Sequence, residues 1–80
     1  RDKDAPAMFT DKQVEIINYG EDDSVKLVVE EMIKVAYDKK HTKNETGDGM
    51  VYIYKILTSN YGLEKAKEIV LAILTKNNLL

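Results

Sequence analysis

The chain has no cysteine, no tryptophan, one proline, one phenylalanine, one histidine and one arginine in 80 residues. Without cysteine there is neither a disulfide framework nor a thiolate metal site, and the usual support of a small secreted domain is missing. That absence points to a reducing, cytoplasmic setting. One histidine, His41, and two serines, Ser24 and Ser59, leave little for a nucleophile, a base and a group to orient the base. The serines suit helix-boundary roles, and His41 stands among lysines as a solvated side chain. The expectation is a protein that is not an enzyme, with no metal and no cofactor. No run approaches the roughly 20 apolar residues of a membrane span.

Charge excludes another class. The net charge is −2 and the sequence pI about 5.3, without the basic stripe of a dedicated nucleic-acid binder. The balance is uneven. Residues 1–23 hold seven acidic and three basic side chains, a net −4; residues 24–80 hold seven and nine, a net +2. Such an asymmetry steers partners more than it shapes a fold.

What is present writes helices. Thr10 and Gln13 have the spacing of a capping box, and Phe9 and Val14 that of a hydrophobic staple. A short first helix over 11–19 follows, with Val14, Ile17 and Ile16 inward and Gly20 ending it through its tolerance of positive φ. Glu21, Asp22 and Asp23 put negative charge at a second helix start, where it complements the helix dipole. Val25, Val28, Val29, Met32, Ile33, Ala36 and Tyr37 then recur at three-and-four spacing. With Val35 they span an arc of about 200°, the width of a central helix with two neighbours. Leu27 falls among the charges on the far side.

Residues 41–49 read as the one long loop, with Asp48 capping a helix that starts at Gly49. Met50 to Leu57 has the composition of a strand or a helix. Nothing else in the chain would pair with a lone strand, so it is assigned to a helix. Gly62 breaks the chain before a last helix over 63–76, with Leu63, Ala66, Ile69, Val70, Ile73 and Leu74 inward. The prediction is an all-α, small single-domain bundle of about four short helices over 8–80. Residues 1–7 are set aside as a disordered leader or a cloning scar: either the chain is a fragment, or Met8 is the natural start.

Three motifs lead nowhere further. The 41–49 segment matches part of a calcium loop from Asn44, but Lys55 stands where a bidentate Glu is required. Asn44-Glu45-Thr46 is a glycosylation sequon that matters only in a secreted protein. A helix-turn-helix drawn across 57–71 would present Glu64, Lys65, Lys67 and Glu68 to DNA, with no arginine there for guanine readout.

Surplus apolar residues are the sharper sign. If Met50, Ile53, Tyr54, Leu57 and Tyr61 face the core, Tyr52 and Ile56 point 140° to 180° away, at about 100° per residue. Either they join Leu27 in a partner surface, or this helix is buried on both sides. The preferred reading is a small helical adaptor, inhibitor or regulator that binds another protein or a second copy of itself. A DNA-binding regulator of helix-turn-helix type ranks behind it, and nucleic acid is an unexpected partner.

Phe9-Thr10-Asp11, the acidic start before Val25-Lys26-Leu27-Val28-Val29, and Gly47-Asp48-Gly49-Met50-Val51-Tyr52-Ile53-Tyr54 together resemble the small acidic four-helix immunity proteins that block colicin-type nucleases. The family's His-Pro before the loop and the proline after its tyrosine pair are missing here. The resemblance implies an immunity or antitoxin-like role, in which an acidic second helix and a tyrosine pair on a short third helix bind the toxin. It would make Glu30, Glu31, Tyr52 and Tyr54 the contacts.

Overall fold

The computed structural model describes residues 3–80. Four helices follow in order: α1 (Asp11–Tyr19), α2 (Asp22–Ala36), α3 (Lys43–Tyr61) and α4 (Leu63–Lys76), with no strand among the described residues. The all-α bundle is as expected. Each of α2 and α3 packs against all three other helices, whereas α1 and α4 do not meet.

Local chemistry sets the helix starts. At α1 the Thr10 hydroxyl accepts from Gln13 N at 3.1 Å, and the Gln13 side-chain Oε1 accepts from Thr10 N at 2.9 Å. The capping box therefore satisfies two backbone donors that a helix start leaves free. The Gln13 amide then donates to Glu31 at 2.6 Å, which ties α1 to α2. At α2, Glu21 is the N-cap without a side-chain bond, and Asp22 and Asp23 lie in the first turn. Ser24 falls in that turn as well, and Ser59 in the last turn of α3.

The expected loop over 41–49 is corrected. Thr42 caps a helix that begins at Lys43, six residues ahead of Gly49, so α3 is the longest element at 19 residues. Glu45 N donates to the Thr42 hydroxyl at 3.1 Å and Thr42 N to the Glu45 carboxylate at 2.8 Å. This is a second capping box, Thr-Lys-Asn-Glu, and Asp48 lies inside the helix rather than at its cap. The segment lacked an apolar rhythm because its inward positions are small. Thr46 donates its hydroxyl to Ala36 O at 2.7 Å, closing the end of α2, and Gly49 is buried. A Cβ on Gly49 would stand 3.0 Å from Met8 Sδ, 3.2 Å from Ala36 Cβ and 3.3 Å from Phe9 Cζ. Only glycine lets α3 approach α2 and the N-terminal segment this closely.

The core takes Phe9 with Val14 and Ile17 of α1, and Val25, Val29, Met32, Ile33 and Ala36 of α2. From α3 come Tyr52, Ile53, Ile56 and Leu57, and from α4 Ala66, Ile69, Val70 and Ile73. Phe9 and Tyr52 stack with ring centroids 6.1 Å apart and planes at 27°. The buried face of α3 is thus rotated about a quarter turn from the expected one. Tyr52 and Ile56 are interior, and Met50, Tyr54 and Tyr61 are partly buried at the margin. Of the other expected core residues, Ile16, Val28, Val35 and Leu74 are partly buried, while Tyr37 and Leu63 are exposed.

Packing also begins ahead of Met8. Ala5 and Met8 pack against the core, Phe9 N donates to Pro6 O at 3.1 Å, and Asp4 pairs with Lys55 of α3 at 3.3 Å. Arg1 and Asp2 lie outside the described residues.

The ends are closed in two ways. Gly20 leaves α1 with φ −81°, so positive φ is not its reason; a Cβ there would meet Ile16 O at 2.5 Å. After α4, Asn78 adopts φ 56°, Asn78 N donates to Thr75 O and Leu79 N to Leu74 O. That is a Schellman closure, with Leu79 packed back on the core.

Candidate functional site

The outward centre of α2 is Leu27. On the helix it lies opposite Val25, Val29, Met32 and Ala36, and it remains 68% exposed. Between α2 and α4 runs an open groove lined by Asp23, Lys26, Leu27, Glu30, Ile73 and Lys76. Its apolar part is Leu27 and Ile73, bordered by the methylene stems of two lysines, which cover apolar surface while their ammonium groups stay in water.

Glu30 lines this groove and reaches from α2 to the end of α4. Lys76 Nζ lies 3.1 Å from its Oε1, and Asn77 Nδ2 donates to its Oε2 at 2.9 Å. These bonds favour the ionised form, so the carboxyl is held below its ordinary range, chiefly by Asn77 and then by Lys76. The same Asn77 amide donates to Ile73 O at 2.9 Å. One side chain thus both ends α4 and holds Glu30 against it.

The other expected contact residues do not assemble. Of Leu27, Tyr52 and Ile56, only Leu27 faces outward; the two α3 residues are covered by Phe9 and the core. The arrangement implied by the immunity-protein resemblance also differs. The third helix is the longest rather than short, Tyr52 is buried, and Tyr54 is partly buried. Glu30 leans toward α4, whereas Glu31 is bonded to Gln13 of α1 on the other flank of α2. The four side chains do not form one surface.

A second cleft joins Pro6, Ala7 and Met8 to His41, Glu45 and Asp48. His41 is not solvated as expected. Its side chain is 12% exposed, Nδ1 lies 4.0 Å from Glu45 Oε1, and Nε2 is buried without a hydrogen-bond partner. The Thr42 backbone bond is the main cause holding the Glu45 carboxyl below its ordinary range. No serine, threonine, cysteine or lysine is among the residues that line this cleft. Among the described residues no group of three His, Cys, Asp or Glu side chains is placed to hold a metal ion.

Across α4, Glu64, Lys65, Lys67 and Glu68 are all exposed and mix both signs. No helix among the described residues is long and apolar enough to cross a membrane. No family model, curated protein or solved structure matches this chain.

Proposed function

We propose that this chain is a non-catalytic helical protein that acts by binding another protein, or a second copy of itself, through the α2–α4 groove around Leu27. The exposure of Leu27 carries this reading. A leucine at the outward centre of a helix contributes nothing to its own core, and it stands over a groove whose floor includes Ile73. The other exposed apolar side chains of the helices are Tyr19 on α1, Leu63 and Leu71 on α4, and Val51 on α3, which borders a separate cleft with Pro6 and Tyr52. Single exposed apolar residues need no special account; one beside a groove with an apolar floor supports a contact. A small domain also gains from burial against a partner. A cytoplasmic setting agrees with the lack of cysteine.

The test is capture of binding proteins from the native host by the wild type, Leu27→Asp and Tyr19→Asp. Both positions are exposed, so both variants are expected to fold. Leu27→Asp is expected to weaken capture at least about tenfold, the loss typical of a central contact residue. Tyr19→Asp is expected to leave it unchanged. Equal capture by all three variants removes the groove as the contact surface.

A further inference from the structure

The outward stripe of α2 is Asp23, Leu27, Glu30 and Lys34. Their spacing of four, three and four residues keeps all four within about 60° of one helix face. Charge runs along it in one direction. The acidic residues Asp22 and Asp23 open α2, and Lys34 lies in its last turn. A helix acidic at its start and basic at its end complements its own copy when the two run antiparallel. Association of a protein with itself is most often two-fold symmetric, with the same patch used on both sides.

We infer that the groove around Leu27 takes a second copy of this chain, with the two α2 helices antiparallel about a two-fold axis between positions 28 and 29. This rests on the proposed function and names its partner. In this register Asp23 faces the second copy's Lys34, and Lys34 faces its Asp23. Leu27 faces the second copy's Glu30. That glutamate is tied to the end of α4 by Lys76 and Asn77, so Leu27 packs beside it in the groove, against Ile73 and the stems of Lys26 and Lys76. The two Leu27 side chains lie three residues apart along the pair, about 4.5 Å, close enough to touch. A parallel arrangement would set Asp23 beside Asp23 and Lys34 beside Lys34. Charge therefore selects the antiparallel one.

The contact is small and its ion pairs are exposed, so the dimer is weak and salt-sensitive. The experiment is sedimentation equilibrium of the full chain at low salt, up to millimolar concentration. It compares the wild type, Asp23→Lys, Lys34→Asp and an equimolar mixture of the two variants, with circular dichroism to show that each is folded. The wild type is expected to self-associate less as salt is added. Each variant alone sets two like-charge pairs across the axis and should associate roughly tenfold more weakly. In the mixed pair each introduced lysine faces an introduced aspartate, and native Lys34 faces native Asp23, so association should recover. A wild type that stays monomeric at every concentration overturns the second-copy inference. Leu27-dependent capture of a different protein would then still uphold the reading beneath it, and loss of both would remove the two together. A dimer indifferent to the charge reversals, or a mixture with no recovery, overturns the antiparallel α2 pairing.

Discussion

Asn77 and Glu30, 47 positions apart, are joined by a 2.9 Å hydrogen bond that fastens the end of α4 to the middle of α2. With Lys76 adding its charge, the ionised form of Glu30 is favoured in the folded state, and its pKa lies below the ordinary 4.5. The sign of the pH effect follows. A depressed carboxyl pKa contributes stability above the unfolded value, and that contribution is lost as pH falls through the folded value.

The wild type is therefore expected to lose thermal stability below about pH 4.5, with Glu30 and Glu45 both contributing. Glu30→Gln should lower the melting temperature at pH 7 and flatten its decline in acid. Melting curves from pH 7 to pH 3 check this. A variant as steep in acid as the wild type would mean that the Asn77 and Lys76 contacts do not favour the ionised carboxylate.

The start of α3 gives a second outcome. Thr42 makes the cap bond, whereas Asp48 lies one and a half turns inside the helix. Thr42→Ala should cost about 1 kcal/mol in urea unfolding, the usual loss of a threonine cap. Asp48→Ala should change stability by less than about 0.5 kcal/mol, as exposed substitutions usually do. The reverse ranking would place the start of α3 near Gly49.

Legibility follows side-chain size. α1, α2 and α4 could be read because their buried positions carry Val, Ile and Met, whose three-and-four spacing stands out. The first half of α3 buries Gly49 and points Thr46 at Ala36 O, so the residues facing α2 give no apolar rhythm. Its one written signal was the spacing of Thr42 and Glu45, a capping box obscured by Gly47 and Gly49. Losing that start also misplaced the buried face, because Tyr52 stacks inward on Phe9, a contact 43 positions away. Leu27 was legible because it needs no distant partner, only a position among charges. The groove beside it was not, since Ile73 and Lys76 reach it through tertiary packing.

Burial of Tyr52 makes its truncation a test of the core. Tyr52 is 4% exposed and Phe9 is 1% exposed, so Tyr52→Ala leaves a cavity beside a fully covered ring. Such truncations cost about 3–5 kcal/mol, against a total of about 5–15 for a whole domain. Tyr52→Ala is expected to be largely unfolded or to melt far below the wild type, and Tyr52→Phe, which keeps the ring, should lose much less. Chemical denaturation of both decides it. A folded Tyr52→Ala variant of near wild-type stability would show that this ring is not part of the core.

Two glycines about half a helical turn apart should respond to the same substitution with opposite signs. Both Gly47 and Gly49 lie in α3, where alanine is intrinsically favoured over glycine by about 1 kcal/mol. Nothing lies within 4 Å of a Cβ built on Gly47, so Gly47→Ala should stabilise by about 0.5–1 kcal/mol. At Gly49 the same methyl meets Met8 Sδ at 3.0 Å, Ala36 Cβ at 3.2 Å and Phe9 Cζ at 3.3 Å. The methionine can swing away, but Ala36 is carried on the α2 backbone and Phe9 is held in the core. Overpacking of that kind costs about 1–3 kcal/mol, which exceeds the helix gain, so Gly49→Ala should be a net loss. Paired unfolding curves read the difference directly. If both variants are stabilised, α2 and α3 are not in the close contact that Gly49 permits, and the packing that buries Tyr52 would need a different origin.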